Sequence, residues 1–141
     1  MRKLVSALAV LALVYFGAQY FASSQVSAPA PGRDAIASAF TDHRSSVEVT
    51  GQGVVARVLA DDRDGSPHQR FILTLPSGQT VLITHNIALA ERIPSLKKGD
   101  VVQFKGEYEW NRQGGVIHWT HRDPQGRHEA GWLRHAGRTY H

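Results

Sequence analysis

The sequence predicts an all-β domain with one short helix, folded as a five-stranded OB-like barrel behind an N-terminal signal or anchor helix. Three observations predict it: a basic start followed by an apolar run, five segments with strand-like patterning separated by turn residues, and a short helical pattern between the third and fourth segments. The order strand-strand-strand-helix-strand-strand is that of the OB barrel. An SH3-like or other small barrel is the main alternative.

The N-terminal segment has the pattern of an export signal. Arg2 and Lys3 precede an apolar run from Leu4 to Phe16, which continues less purely to Ala22. Such a run is typical of a signal peptide, and its extended form is marginally long enough for a membrane anchor. We expect residues 1–28 to be one of these, with a buried cytoplasmic helix as the remaining alternative. A signal or anchor places the domain in the periplasm, outside the cell, or on the inner membrane facing the periplasm.

Residues 29–45 are expected to connect this segment to the domain at 46–141. The stretch 23–31 is rich in Ser, Ala and Pro and carries no charge, which is typical of a tether. Arg33 to Phe40 follows with a short helical pattern. The membrane is therefore expected as a partner only through the N-terminal segment.

Strand-like patterning then recurs through the domain. Gly51 and Gly53 allow the bend that a long first barrel strand needs. Asp-Gly and Pro within 61–67, Pro76 to Gly78, and Asn111 to Gly115 are turn residues between strands. The helix is expected at Ile87 to Arg92, before Pro94. The predicted strands are Ser46 to Leu59, Gln69 to Leu75, Gln79 to Thr84, Val101 to Tyr108 and Val116 to His121.

Composition excludes some sites and favours others. The chain has no cysteine, so disulfides, thiolate metal sites and a cysteine nucleophile are excluded. Beyond Lys3 there are 14 basic and 12 acidic residues, a net charge of +2 against the formal +4 of the whole chain. From Arg112 to His141, five Arg accompany two acidic residues, and five of the eight His follow residue 117. This region is suited to attract polyanions, more strongly as pH falls.

Glu107 to Trp132 is the candidate functional region, because aromatic, His, carboxylate and Gly residues concentrate there. Strand alternation places Ile117 and His118 on opposite faces. With Ile117 packed inward, His118 points outward beside a strand that offers Glu107 and Glu109. His121 is expected at the barrel rim, where later turns and the end of the third strand bring three further polar residues: Asp123, His128 and His85.

One hypothesis is a divalent metal, the only cofactor that these residues suggest. Its ligands would be His121 and His128 with Glu109, or with Asp123 in its place, because imidazole and carboxylate suit Zn, Mn, Ni or Cu. His118 and His121 lie on opposite faces of a strand and are not expected to chelate one ion together.

A second hypothesis is general acid–base catalysis with His121, His128 and Asp123 as the catalytic set. Asp123 or Glu109 would orient a His, and Arg122 or Arg127 would steady an anion, as the hydrolysis of a phosphodiester requires. A metal-dependent version would use the same cluster.

The third hypothesis, binding without chemistry, is our first choice from the sequence. Trp110 and Trp119 would serve as stacking platforms, and Arg side chains would contact an anionic ligand, with single- or double-stranded nucleic acid as a candidate. The expected ligand-binding residues are Trp110, Asn111, His118, Arg122, Arg127 and His85. An envelope protein-interaction module is a further alternative.

Several of these residues also have purely structural interpretations. Trp119 and Tyr108 are expected in the core, and Trp132 at a barrel end. Asp123 caps a turn in this interpretation, and His85 with Asn86 caps a helix. His135 and His141 are expected in a solvated tail.

The motifs HNIALAER, beginning at His85, and GEYEWNRQGGVIHWTHRDPQGRH, beginning at Gly106, carry a family resemblance, together with HQRF at His68. Over roughly Gly51 to Tyr140 the chain resembles a small family of exported bacterial proteins of unknown function. The resemblance implies a single extracytoplasmic domain and no particular activity. The strand order is also similar to thermonuclease-like OB enzymes, but their Arg and carboxylate set has no counterpart here, so that likeness concerns the fold alone.

Overall fold

A computed structural model describes residues 33–141, so the prediction of a signal or anchor at 1–28 lies outside the described residues. One helix and seven strands follow one another along this part of the chain. Over residues 33–141 no helix has the length and hydropathy needed to cross a membrane. The elements are α1 (Arg33–Thr41), β1 (Val47–Val58), β2 (His68–Thr74), β3 (Thr80–Asn86), β4 (Val101–Glu109), β5 (Val116–His118), β6 (Trp132–His135) and β7 (Arg138–Tyr140).

The first five strands form a closed barrel, as the sequence predicts for an OB-like fold. Their order is β1-β2-β3-β5-β4, and a β1–β4 pairing closes the ring. All neighbours are antiparallel except β3 and β5, which run parallel. The remaining two strands form a hairpin that extends the sheet from β4.

Alternation of apolar and polar residues accounts for the barrel interior. In β2 and β3 every second side chain is buried, including Phe71 and Ile83. In β4 and β5 the inward residues are led by Phe104, Tyr108 and Ile117, all fully buried. Burial of each such side chain stabilises the fold by about 1.5–3 kcal/mol. The core prediction for Tyr108 is therefore confirmed.

The glycines of β1 let the barrel close. A Cβ on Gly51 would lie 2.9 Å from the Phe104 ring, and one on Gly53 would lie 2.8 Å from the Thr74 carbonyl oxygen. Here β1 passes from its pairing with β4 to its pairing with β2, and Val54 pairs with both. A side chain at either position would push the neighbouring strand away.

The short helix of the fold is α1, which lies before β1 and places Ile36 and Ala39 in the core. The helix expected at Ile87 to Arg92 is instead a single turn, with a hydrogen bond from Ala90 N to the Asn86 carbonyl of 3.1 Å. The chain cannot continue as a helix because Ile93 is pulled into the core, where Gln69 hydrogen-bonds both its N–H (2.9 Å) and its carbonyl (3.0 Å).

The C-terminal third differs most from expectation. β5 ends at His118 and not at His121, because Trp119 adopts a left-handed backbone with φ of 54°. The sequence did not predict β6 and β7. In the structure they are joined by a tight hairpin turn in which Ala136 and Gly137 have positive φ values. These strands bury Leu133 and Tyr140, so the segment containing His135 is part of the folded domain and not a tail.

Candidate metal centre

Three neighbouring strands place two carboxylates and an imidazole in one row on the outer surface of the barrel. Glu48 of β1 pairs with Glu107 of β4, which pairs in turn with His118 of β5. Glu109 lies two residues further along β4 and therefore on the same face. The row results from strand register, since the inward neighbours on each strand belong to the core.

Residues 119–131, here called the excursion loop, cover this row. The loop leaves the sheet at Trp119 and returns at Gly131, whose N–H donates to the His121 carbonyl at 3.0 Å. Asp123 organises its interior by accepting hydrogen bonds from three backbone N–H groups, those of Gln125, Arg127 and His128, at 2.9–3.0 Å. These bonds, that of Gln125 foremost, hold the pKa of Asp123 below its usual range.

The loop places His128 directly over the row of acidic residues. Its Nε2 hydrogen-bonds Oε2 of Glu107 and lies 4.0 Å from Oε1 of Glu48, while its Nδ1 donates to the Glu129 carbonyl at 2.8 Å. The ring stacks on Trp119 with centroids 4.1 Å apart and planes 7° from parallel. Trp119 is thus half-buried against His128 within the loop and is not in the barrel core, contrary to expectation.

These contacts determine the protonation of His128 and Glu107. Partial burial opposes the charged form of His128, but the bonds to Glu107 and to the Glu129 carbonyl outweigh it and raise the pKa of His128 above 6.5. Burial likewise opposes ionisation of Glu107 and is the largest single effect, but the hydrogen bonds with His128 and Glu109 and the nearby histidines together outweigh it and hold the pKa of Glu107 below 4.5. Between the lowered pKa of Glu107 and the raised pKa of His128 the pair is therefore imidazolium and carboxylate.

Glu107 also belongs to a second group of donors with Glu109 and His118. Nε2 of His118 lies 3.4 Å from Oε1 of Glu109 and is buried, yet it has no hydrogen bond within the described part of the chain. In each triad, Glu48–Glu107–His128 and Glu107–Glu109–His118, the ligand atoms lie within 4.8 Å of one another. Two triads of potential metal ligands thus share one carboxylate.

The surroundings are rich in negative charge. Glu129 lies beside the row and pairs with Lys105 at 2.6 Å. Burial, repulsion from Glu129 and repulsion from Glu107 together raise the pKa of Glu48 above 4.5, against the opposing effect of His128. A carboxylate whose ionisation its neighbours oppose marks a place where a cation is favoured.

The metal-ligand set expected from the sequence is only partly brought together. His128 and Glu109 lie in different triads, and His121 lies in neither. His121 is buried, its Nδ1 is 2.7 Å from the Arg122 carbonyl, and its ring is 5.4 Å from that of Trp119. The hydrogen bonds of Asp123 go to backbone N–H groups and not to a ring nitrogen of His121 or His128, so the structure does not show the oriented His that the catalytic hypothesis expects.

His85 is a structural residue within the barrel end. It is fully buried, with Nδ1 2.8 Å from the Thr120 hydroxyl and Nε2 3.1 Å from the Glu91 carbonyl. Burial lowers the pKa of His85 to about 4, so the ring is neutral at physiological pH. With Nε2 donating to the carbonyl, Nδ1 accepts from Thr120 and ties β3 to the start of the excursion loop.

The other expected ligand-binding residues are dispersed. The indole N–H of Trp110 donates to the Phe40 carbonyl at 3.1 Å, and its ring lies 4.1 Å from that of His43. Asn111 accepts from Gln113 N and Gly115 N at 2.9 Å and so caps the β4–β5 turn. Both therefore have structural partners.

Arg122 and Arg127 are exposed on the excursion loop. Arg127 lines a groove of about 490 Å³ together with residues that include Leu89, Trp119 and His128. A smaller cavity of about 180 Å³ borders the same Trp119 and is lined by His118 and His121 among others.

Sequence reasoning missed Glu48 and gave Glu107 only as a neighbour of His118. Residue parity identified the outward face of β4 and β5, but the register that brings β1 alongside β4 spans about 60 positions and has no local signal. It also missed the contact of His135 with Asp100, 2.9 Å at Oδ2.

Comparison with known proteins identifies a family of unknown function. No curated protein matches the chain significantly. Residues 19–141 match the model of a family described as "Protein of unknown function (DUF3465)", and because the match covers most of the chain, the protein belongs to that family.

Proposed function

We propose that this domain binds a divalent transition-metal ion on the outer surface of β1, β4 and β5, with Glu107 as the central ligand. The observation that carries the proposal is that Glu107 belongs to two carboxylate–imidazole triads at once. The ion is held by Glu107 and His128, with Glu48, Glu109 or His118 completing its coordination.

The donor chemistry favours a zinc- or manganese-like ion. Imidazole nitrogen and carboxylate oxygen are the ligands that these ions take in proteins. His128 is oriented as metal-bound imidazoles usually are, because its Nδ1–H donates to a backbone carbonyl and leaves Nε2 toward the carboxylates. The buried Nε2 of His118, which has no hydrogen bond, would gain a partner from the same ion.

The local charge favours a cation as well. Four carboxylates, from Glu48, Glu107, Glu109 and Glu129, lie at the site, and Lys105 is the nearby ammonium group that pairs with one of them. Once His128 loses its proton, this charge is compensated poorly without a bound ion. Two arginines of the basic C-terminal region have other partners: Arg134 stacks on Trp132, and Arg138 pairs with Glu91.

Hydrolysis of an anionic ester is a second candidate function, favoured by the number of ligands. A triad of protein ligands leaves coordination positions for water, as in catalytic metal sites, and bound water is then acidified. The two stacking platforms that favoured plain ligand binding are less available, since Trp110 packs against α1 and His43 and one face of Trp119 is covered by His128.

The proposed location is outside the cytoplasm. Its support is the basic start and apolar run of residues 2–22. A fusion of the full chain to a reporter that is active only in the periplasm tests it, because activity is expected with the segment and not after its deletion.

The metal proposal is tested by calorimetric titration of the full chain, stripped with a chelator, with Zn²⁺ and Mn²⁺, followed by metal analysis of the dialysed protein. We expect one ion per chain. Glu107→Gln should weaken binding at least about 100-fold, because it removes the ligand common to both triads. The control is Asp100→Asn, which alters a His–carboxylate pair just before the start of β4 and should leave affinity unchanged. Equal binding by wild type and Glu107→Gln would refute the proposal.

A further inference from the structure

The groove beside the proposed metal centre has walls of two kinds. Leu89, Trp119 and Pro124 give it an apolar lining, and Arg127 and His128 give it polar groups. Its volume of about 490 Å³ lies in the range of small-molecule sites. Leu89 is 44% exposed, which is unusual for a large apolar side chain and leaves an uncovered apolar wall.

Arg127 is placed to meet an anion in this groove. Its backbone N–H is fixed by Asp123 at 2.9 Å, and its guanidinium makes no ion pair within 4.0 Å in the described part of the chain. Several other arginines do pair with carboxylates, such as Arg92 with Asp61. Asp123 also lines the groove, but its carboxylate oxygens already accept three backbone hydrogen bonds.

The groove and the metal centre share His128. One ring edge of this residue faces Glu107 and Glu48, while the residue also lines the groove together with Trp119 and Arg127. An ion bound at Nε2 is therefore adjacent to a groove that offers a guanidinium and an apolar surface. A phosphate group suits both the ion and the guanidinium fork, and a planar ring suits the walls formed by Trp119 and Leu89.

We propose that this groove binds a nucleotide, with its phosphate between Arg127 and the metal ion and its base against Leu89 and Trp119. The inference rests on the proposed metal-binding function and names the ligand class of that site. The nucleotide can be free or the terminal residue of a nucleic acid strand, since both present the same base and phosphate.

The test is calorimetric titration of the zinc-loaded full chain with adenosine monophosphate and with three partial probes. Adenosine lacks the phosphate, ribose 5-phosphate lacks the base, and inorganic phosphate lacks both base and sugar. We expect each partial probe to bind at least about 10-fold more weakly than the nucleotide, because each loses one of two separate contacts. A 5′-phosphorylated trinucleotide distinguishes the two sources: tighter binding than the monophosphate indicates a strand terminus, and equal or weaker binding indicates the free nucleotide.

Two variants locate the binding. Arg127→Gln should weaken nucleotide binding at least about 10-fold while leaving zinc affinity unchanged. Arg112→Gln, an exposed arginine of the β4–β5 turn, is the matched control and should change neither. Nucleotide affinity that is the same in Arg127→Gln as in wild type, or no greater than that for ribose 5-phosphate, would overturn the inference.

Failure of this inference can be told apart from failure of the proposed function. Zinc binding without nucleotide binding overturns the groove assignment and leaves the metal centre in place. Absence of zinc binding overturns the metal centre. In that case nucleotide binding that depends on Arg127 supports the groove alone, and its absence overturns the nucleotide proposal as well.

Discussion

A histidine–carboxylate pair lies near each end of β4, and the two pairs differ in their surroundings. Just before the strand begins, Asp100 accepts a hydrogen bond from His135 at 2.9 Å and further bonds from the backbone N–H and the ammonium group of Lys97 at 3.1 and 2.8 Å. Near its other end, Glu107 meets His128 among several further carboxylates. The first pair has one anion with two potential cations, and the second has a surplus of anions.

This difference separates a structural lock from a proposed metal site. Hydrogen bonds from the Lys97 side chain and backbone lower the pKa of Asp100 to about 2, with a smaller contribution from His135, so its charge is fully matched by donors. Around Glu107 there are more carboxylates than positively charged groups, so some carboxylate oxygens have no partner of opposite charge within the described residues. A His–carboxylate contact alone therefore does not indicate a metal site; the balance of charge around it does.

The largest expected effect concerns the glycines that flank β6. A Cβ on Gly131 would lie 1.9 Å from the Trp119 carbonyl oxygen and 2.6 Å from that of Lys105, so Gly131→Ala should destabilise the fold by more than about 3 kcal/mol or prevent folding. Gly137, in the β6–β7 turn near His135, has φ of 78° and nothing within 4 Å of its Cβ position. Gly137→Ala should cost only about 1–2 kcal/mol, from backbone strain alone.

Urea denaturation of both variants measures this contrast. The order of the two midpoints is the decisive result. If Gly131→Ala proved as stable as Gly137→Ala, the close approach of the excursion loop to β4 would be refuted.

The next largest expected effect is on pH dependence: the contribution of His128 to the stability of the metal-free protein should fall as pH rises, whereas stabilisation by zinc should increase. In the metal-free protein, protonated His128 contributes stability through its bond to Glu107. This contribution is fully present below pH 6.5 and is lost as pH rises through the raised pKa of His128. The contribution of Glu107 is present above pH 4.5 and is lost as pH falls through its lowered pKa. Zinc must displace the Nε2 proton, so zinc affinity should rise about 10-fold per pH unit below the pKa of His128.

Thermal melts of stripped and zinc-loaded protein between pH 5 and pH 8 test this prediction. The stabilisation by zinc should grow with pH, and His128→Gln should remove most of that growth. Stabilisation by zinc that is independent of pH would contradict a role for His128 as a ligand.

A smaller effect is expected from the second triad. His118→Ala should lower zinc affinity about 10-fold without disturbing the excursion loop, because His118 makes no hydrogen bond that holds the loop. His135→Ala, at the other pair, should leave zinc affinity unchanged. Calorimetric titration of both variants compares the two histidines, and an equal loss in both would indicate an indirect effect on folding.

The smallest effect concerns Asp100. Because its pKa is lowered, Asp100 contributes stability above pH 3.8 that is lost as pH falls through about 2. Asp100→Asn should therefore lower the melting temperature by a few degrees near neutral pH, and the difference from wild type should shrink toward pH 2. A difference in melting temperature that stays constant over that range would contradict a stabilising role for the charge of Asp100.

The fold was predictable from the sequence to the extent that it depends on alternation and turn residues. The five barrel strands follow from both, and parity alone placed His118 outside the barrel beside Glu107. The turn at 87–92 was not predictable, because it ends where Gln69, 24 positions earlier, binds Ile93. Local helical pattern cannot report such a tertiary contact.

The candidate site was less predictable, for two physical reasons. A positive φ at Trp119 ends β5 and redirects the chain, and nothing in a non-glycine residue announces that conformation. His121 consequently lies in neither triad, although the sequence grouped it with His128. Glu48 joins the site through β1–β4 register, which depends on closure of the whole barrel.

The central claim is that Glu107 and His128 bind one metal ion, and anomalous diffraction at the zinc edge from crystals of the zinc-loaded protein tests it most directly. We predict one strong peak at about 2.0–2.2 Å from Nε2 of His128 and from a carboxylate oxygen of Glu107, with Glu48, Glu109 or His118 in the remaining coordination. A peak at His121 or elsewhere on the surface, with His128 and Glu107 still hydrogen-bonded to each other, would contradict the account.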